Sequence, residues 1–167
     1  MFSSLEEALT LWAQQAAITR RVLAALPESA YGARPHEKSR TGAELAWHIA
    51  TDPYSYVTGT LKLKVRGIPA ASPPATSESL LHAYDAIHRD CVTAVGRQND
   101  EWLRGEARMD GRATTNGIVI GSMVLHETHH RGQLSIYVRM AGGKVPSICG
   151  PSADDSGPPP QPKKRRG

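Results

Sequence analysis

The 167-residue sequence has little cysteine, few aromatic residues and no long apolar run. Two cysteines, Cys91 and Cys149, are too few for a disulfide framework, which favours a reduced, cytoplasmic setting. No stretch reaches the roughly 18 consecutive apolar residues that a membrane-spanning helix needs. The N-terminus has neither the basic nor the apolar region of a secretory signal peptide. The sequence therefore predicts a cytoplasmic protein with no membrane partner.

An excess of positive charge over the body of the chain is also missing. The net charge of +4 comes from 20 Lys and Arg residues against 16 Asp and Glu residues. Four of the basic residues stand together at 163–166, and without them the chain has 16 basic and 16 acidic residues. The proline-rich run 158–162 precedes them, which predicts a disordered tail over 151–167 behind a domain at 1–150. Nucleic-acid contact is expected through this tail at most, and a solvated tail without function is the favoured interpretation.

Four segments have apolar residues at helical spacing, and no segment has a convincing strand pattern. The helices are expected at about residues 4–26, 41–66, 77–98 and 116–141. Capping boxes begin the first two, and Gly142-Gly143 ends the last. A linker at 67–77 separates the second helix from the third, and a polar loop at 99–115 separates the third from the fourth. The prediction is an all-α four-helix bundle.

The last predicted helix carries histidines where a core should be. His126 and His130 are four residues apart and so lie about 40° apart around the helix axis. They share an arc with the apolar residues Val119, Met123, Leu134, Tyr137 and Ala141. The residues expected on the opposite side are Thr128, Arg131, Ser135 and Arg139. A histidine pair at this spacing can bind one metal ion, and a hydrogen-bonded core or interface pair is the alternative.

A third histidine occupies a central apolar position on the second helix. His48 with His126 and His130 would give three nitrogen ligands, which leaves a coordination position for water or substrate. Such a donor set suits zinc or nickel, and also copper or iron(II). Asp52, one turn after His48, is predicted to orient an imidazole or a bound water. Alternatively, Asp52 caps a helix that restarts at Pro53.

The other histidines receive weaker assignments. His88 lies on the inner face of the third helix and competes for a place in the site, although a buried, hydrogen-bonded histidine is the favoured interpretation. Cys91, one turn later, is expected to behave as a small apolar side chain. His36 in a loop and His82 on an outer helix face are given no role.

The segment His126-Glu127-x-x-His130 also matches the signature of zinc peptidases. The extended form of that signature places glycine and histidine where this chain has Gln133 and Ile136. The other common form needs a downstream glutamate, and no glutamate follows His130. A peptidase is therefore disfavoured, and Glu127 is expected at the surface or in an interface.

Several motifs resemble the DinB/YfiT-like family of metal-binding four-helix bundles, over about residues 1–155. They are Glu44-Leu45-Ala46-Trp47-His48-Ile49, His126-x-x-x-His130-Arg131-Gly132-Gln133-Leu134, Arg139-Met140-Ala141-Gly142-Gly143-Lys144-Val145-Pro146 and Gly150-Pro151-Ser152-Ala153-Asp154. The resemblance implies a bundle, often a homodimer, with a divalent metal on His48, His126 and His130. His129 is expected beside the site or in an interface rather than as a ligand. The family name refers to induction by DNA damage.

Related bundles in this group include thiol S-transferases that use bacillithiol or mycothiol, and a mycothiol-dependent maleylpyruvate isomerase. By that similarity, the metal would bind the thiolate of a low-molecular-weight thiol or lower the pKa of water for hydrolysis. Asp52, Glu127 or Gln133 would then orient the substrate or the water. The prediction is a metal-dependent thiol S-transferase or hydrolase that acts on a small molecule. The alternative is a non-catalytic, metal-binding dimer related to stress or DNA damage.

Overall fold

The computed structural model describes residues 2–155, and most of them are helical. The helices are α1 (Leu5–Ala25), α2 (Gly42–Ser55), α3 (Ser77–Val95), α4 (Asp100–Arg104) and α5 (Asn116–Met140). Two strands follow α4, namely β1 (Glu106–Met109) and β2 (Arg112–Thr115). The long helices α1, α2, α3 and α5 pack as a bundle, which confirms the predicted four-helix architecture.

Side-chain caps fix where the long helices begin. Thr41 accepts a hydrogen bond from the backbone N–H of Glu44 at 3.2 Å, and Glu44 accepts one from the backbone N–H of Thr41 at 2.7 Å. This reciprocal pair satisfies two backbone donors that the first turn of α2 would leave free. Ser4 caps α1 in a simpler way, by accepting from the N–H of Glu7. The capping box predicted at Thr41 is therefore present. At Ser4 only half of the predicted box forms, because the carboxylate of Glu7 accepts from the backbone N–H of Ser3 at 2.7 Å and not from that of Ser4.

The second helix ends earlier than the sequence suggested. It was expected to reach residue 66, but α2 stops at Ser55 and a single π-helical turn occupies Tyr56–Thr60. Pro53 lies inside α2, so Asp52 is not an N-cap and the helix does not restart there. Proline lacks the N–H that would bond to the preceding turn. The π-helical turn that follows is closed by the backbone N–H of Leu61, which donates to the backbone oxygen of Tyr56 at 2.9 Å. Lys62, with φ at 58°, then turns the chain away.

A β-hairpin occupies the segment predicted as a polar loop. Strands β1 and β2 pair antiparallel, with Met109 opposite Arg112. Asp110 and Gly111 form the turn, both with positive φ, at 51° and 76°. This is the backbone that an Asp-Gly hairpin turn requires. The prediction that the chain has no strand was therefore wrong. These strands are short and largely polar, so they lack the alternating pattern by which a strand is recognised.

Helix α5 packs against both α1 and α2. The hydroxyl of Tyr137 donates to the backbone oxygen of Arg40 at 2.7 Å, which ties α5 to the start of α2. At that start, a Cβ atom on Gly42 would collide with the backbone oxygen of Ala30. These contacts hold the N-terminal half of α2 in place beside α5.

Residues after α5 fold back onto it. The carboxylate of Asp154 accepts from the guanidinium Nε of Arg139 at 3.1 Å and from the backbone N–H of Val145 at 3.0 Å. Residues 151–155, the first part of the predicted tail, thus contact the bundle. The remainder of that tail, 156–167, lies outside the described residues. Within the described chain, no helix is long and apolar enough to cross a membrane.

Candidate metal centre

Three histidines from two helices point the same ring nitrogen at a common centre. Nε2 of His48, on α2, lies 3.3 Å from Nε2 of His126 and 3.1 Å from Nε2 of His130, both on α5. The two α5 nitrogens are 3.0 Å apart. The predicted histidines are therefore brought together, and they are grouped so that they can hold one metal ion.

The size of this nitrogen triangle matches a metal ion. Two nitrogens that are each about 2.0–2.1 Å from a tetrahedral zinc ion lie roughly 3.3–3.4 Å from one another. The observed separations of 3.0 to 3.3 Å are close to that value. Hydrogen bonds alone would account poorly for the cluster, because each pair of nitrogens would need one proton donor and one acceptor. The donor set thus fits a divalent transition metal.

The imidazoles are held in the neutral form, which is the form that binds metals. The pKa of His48 is lowered to about 4, chiefly by burial and to a smaller extent by the charge of Arg40 and the neighbouring histidines. Burial is also the largest cause of the lowered pKa of His126 and of His130. The cluster therefore needs little proton release before it can accept a cation.

Gln133 sets the orientation of one ring of the cluster. Its side-chain oxygen lies 2.7 Å from Nδ1 of His130. Because an amide oxygen only accepts, Nδ1 carries the proton and donates it. The lone pair of His130 is then on Nε2, which faces the other two histidines. This contact fixes the ring tautomer from behind, an arrangement common among metal-binding histidines.

Asp52 also lies at the cluster. Its Oδ1 is 3.7 Å from Nε2 of His126, and its side chain is almost completely buried. Burial raises the pKa of Asp52 to about 6. Its second oxygen, Oδ2, is buried and has no hydrogen-bond partner among the described residues. A buried carboxylate oxygen without a partner is costly, so a donor from a bound ligand would stabilise it.

Glu127 and Arg131 lie elsewhere than predicted. Glu127 is 1% exposed and accepts a hydrogen bond from the hydroxyl of Tyr84 on α3 at 3.0 Å, so the expected surface or interface position was wrong. Arg131, expected on the outer face, is fully buried and donates to Thr19 on α1 at 3.0 Å. Because α5 packs against several helices at once, it buries a wider arc than its histidine stripe indicated. Neither side chain belongs to the histidine cluster.

The remaining histidines lie outside the cluster. His88 sits between Trp12 and Tyr84, at ring-centroid distances of 5.2 and 6.0 Å. It is partly buried, but its Nε2 has no hydrogen-bond partner among residues 2–155, so the predicted hydrogen bond is not found. His129 is exposed, with its ring centroid 5.0 Å from that of His130. Neither His88 nor His129 belongs to the three-histidine group.

Two cavities adjoin histidines of the cluster. His48 lies in the wall of one, with a volume of about 580 Å³, together with Trp47, Tyr54 and the linker residues 68–73. His130 lies in the wall of the other, with a volume of about 720 Å³. Each wall includes residues of an irregular loop, 68–73 in the first cavity and 35–40 in the second. They carried no sequence signal of a site, since these loops become neighbours of the histidines only in the folded chain.

Comparisons with known proteins agree with this architecture. The sequence model of the DinB family matches residues 1–164. The chain is 26% identical over 157 residues to YrdA, an uncharacterized protein of Bacillus subtilis, and the match covers 93% of each. A crystal structure of a DinB-like protein from Bacillus cereus superposes with a TM-score of 0.80 at 24% identity, covering 89% of this chain and 99% of the other. A DinB-like protein from Bacillus subtilis, YjoA, superposes with a TM-score of 0.64 at 20% identity, covering 84% and 96%. The chain belongs to the DinB family.

Proposed function

We propose that this protein is a metal-dependent enzyme that acts on a small molecule, as a thiol S-transferase or a hydrolase. Its ligands are His48, His126 and His130, and zinc or nickel is the expected ion, ahead of iron or copper. The observation that carries the proposal is the triangle of Nε2 atoms, 3.0 to 3.3 Å apart, contributed by neutral imidazoles. Three protein ligands leave a coordination position for a reactant.

The residues around the triangle support catalysis rather than a purely structural ion. A divalent cation at this position supplies a Lewis acid that favours the deprotonated form of a thiol or of water. Gln133 holds the ring of His130 through the 2.7 Å contact at Nδ1. The free Oδ2 of Asp52 is available to accept a hydrogen bond or a proton from the reactant. A closed structural site would need neither a buried acceptor of this kind nor adjoining cavities.

The two cavities favour transfer over hydrolysis. His48 lines one and His130 lines the other, so each cavity can hold one organic reactant beside a different histidine of the cluster. A hydrolase needs only one such reactant plus water. In the transfer reaction, the sulfur of a low-molecular-weight thiol forms a bond to an electrophilic carbon. The leaving group departs with its bonding electrons, and the thiol proton passes to an acceptor such as Asp52 or to solvent.

A homodimer is also proposed, through the outer face of α5. Leu125, Ile136 and Met140 are 63%, 55% and 58% exposed. At 100° per residue they fall within an arc of about 60°. A second copy of the chain would cover this stripe. Size-exclusion chromatography with light scattering should give the mass of a dimer, and Leu125→Glu should shift it toward the 18.0 kDa monomer. A wild-type monomer would contradict the proposal.

Elemental analysis tests the metal part of the proposal. Untagged wild-type protein should contain about one equivalent of a transition metal after mild dialysis, and His126→Ala should lose it. His82→Ala is the matched control, since His82 is exposed on the same bundle and lies outside the cluster. Absence of metal from the wild type, even after incubation with zinc and nickel, would overturn the proposed enzyme.

Activity assays on metal-loaded protein test the chemistry. Conjugation of a small thiol to 1-chloro-2,4-dinitrobenzene reports transfer, since sulfur replaces chloride and the product absorbs light. Hydrolysis of p-nitrophenyl acetate reports the hydrolase. Transfer that requires both the metal and Asp52 is the expected result. A bound metal with no turnover in either reaction would instead favour the non-catalytic, stress-related dimer.

A further inference from the structure

The cavity beside His130 is bordered by two cationic side chains, Lys38 and Arg40. Neither takes part in an ion pair within residues 2–155, although the neighbouring Arg34 pairs with Glu44 at 3.4 Å. Two exposed cations without an acidic partner at the mouth of a cavity create a positive potential there. The charge of the cavity wall therefore favours an anion.

The position of Arg40 is fixed by its neighbours in the fold. Its backbone oxygen accepts a hydrogen bond from the hydroxyl of Tyr137 at 2.7 Å. The next residue, Thr41, is held in the capping box that begins α2. The backbone of Arg40 is thus fastened to both helices that carry the histidines, while its side chain remains exposed. The fold therefore fixes the point from which the guanidinium reaches the cavity, and only the side chain loses conformational freedom when it binds a ligand.

Arg40 lies in the wall of the same cavity as His130 and Gln133. The cavity therefore extends from a guanidinium to one ring of the histidine cluster. A molecule that contacts Arg40 at one end can reach His130 with its other end.

We propose that this cavity binds a small organic acid, with its carboxylate held by Arg40 and Lys38 and its other end at the histidine cluster. A guanidinium can bind a carboxylate through two parallel hydrogen bonds, and a lysine adds a point charge. Leu45, Tyr137 and Pro35 line the same cavity and suit a short carbon chain. This inference rests on the proposed function in one respect only, that the end facing the histidines carries a thiol. The reactant assigned to this side is then a mercapto acid.

The anion site is tested on metal-free protein, so that its outcome does not depend on the metal. Succinate is titrated into the full chain after dialysis against EDTA, at low ionic strength, and binding is measured by isothermal titration calorimetry. Arg40→Gln should raise the Kd about tenfold, because it removes a charged, hydrogen-bonded contact to the carboxylate. Arg34→Gln is the matched control from the same loop and should change the Kd less than about twofold. Succinamide, the neutral analogue, should bind at least about tenfold more weakly than succinate.

Equal binding of succinate and succinamide, or equal affinity of wild type and Arg40→Gln, would overturn the inference. Circular dichroism and thermal unfolding of Arg40→Gln should match the wild type, since the side chain is exposed. If Arg40→Gln nevertheless misfolds, Lys38→Gln takes its place, with an expected rise in Kd of about threefold. An unchanged Kd in that variant would likewise overturn the inference.

A second titration connects the anion site to the metal. Metal-loaded protein is titrated with mercaptosuccinate and with the neutral 2-mercaptoethanol. The acid should bind at least about tenfold more tightly, and Arg40→Gln should abolish the difference. If no metal can be loaded but succinate still binds through Arg40, the proposed enzyme fails and the anion site stands. If both thiols bind the loaded protein equally and Arg40→Gln has no effect, the anion site fails and the metal site stands.

Discussion

The carboxylate of Asp52 faces the same ring nitrogen of His126 that faces His48 and His130, at 3.7 Å. The contact is not an ion pair, because burial lowers the pKa of His126 and keeps its ring neutral. The second oxygen of Asp52 is buried without a partner among the described residues. Asp52 is thus close enough to contact a reactant at the cluster while leaving the three nitrogens to bind the ion.

Replacement of Asp52 by asparagine should separate catalysis from metal binding. The amide keeps the shape of the side chain but cannot accept a proton, so turnover should fall by about a hundredfold. Metal content should stay near one equivalent. Asp85→Asn, at a surface ion pair with Arg20, is the control and should keep full turnover. Loss of the metal in Asp52→Asn would show that the carboxylate is itself a ligand, which contradicts this prediction.

Glu127 should contribute to stability through its hydrogen bond from Tyr84. Truncation to alanine leaves a cavity and removes one of the two acceptors of the Tyr84 hydroxyl, which keeps the backbone oxygen of Ala16 at 3.1 Å. Glu127→Ala should therefore lower the free energy of unfolding by about 3 kcal/mol, mostly through the cavity. Glu127→Gln keeps the volume and an acceptor oxygen, so it should lower the free energy of unfolding by about 1 kcal/mol or less. Urea denaturation measures both. Turnover of metal-loaded Glu127→Gln should persist, and its disappearance would instead indicate a general base of the peptidase type.

Gly42 should be intolerant of any side chain. A Cβ atom at this position would meet the backbone oxygen of Ala30, so the start of α2 must shift. Gly42→Ala should lower the free energy of unfolding by about 2 kcal/mol. The control is Gly32→Ala, because nothing lies within 4 Å of a Cβ there, and its change should be within about 0.5 kcal/mol. Equal unfolding midpoints for the two variants would contradict the prediction.

The two cysteines should react at very different rates. Cys91 is completely buried, and burial raises the pKa of its thiol to about 12, so almost no thiolate is present at neutral pH. Cys149 is exposed. Ellman's reagent should therefore modify one thiol rapidly in native protein and the second only in denaturant. Cys149→Ser should remove the rapid phase. A rapid phase that persists in that variant would contradict the burial of Cys91.

The bundle and the histidine group could be predicted because both leave local patterns. Apolar periodicity marked the long helices, and His48, His126 and His130 interrupted it at central positions. Glu127 and Arg131 could not be placed in the same way. Polar residues are mostly exposed, and these two are buried only because Tyr84 and Thr19, on other helices, supply hydrogen bonds. Such partners are distant in sequence and invisible to a pattern on one helix.

Two further differences have separate causes. The β-hairpin did leave a signal, since Asp110-Gly111 is a typical hairpin turn, but its short polar strands lack the alternation that marks a strand. The end of α2 left a weaker signal in the sequence. Pro53 suggested a break in the helix, whereas the chain continues through it and ends in a π-helical turn. Packing around the proline, rather than its local preference, decides that outcome.

The histidine triangle joins parts of the chain that are far apart in sequence, since His48 and His126 are separated by 78 residues. An ion held there would act as a cross-link that exists only in the folded state. Its occupancy would therefore add to the free energy of unfolding, by about 2.7 kcal/mol at a free metal concentration one hundred times the Kd. The melting temperature of the protein would then report which metal the site prefers, so that a panel of ions could be ranked by thermal shift before any substrate is known.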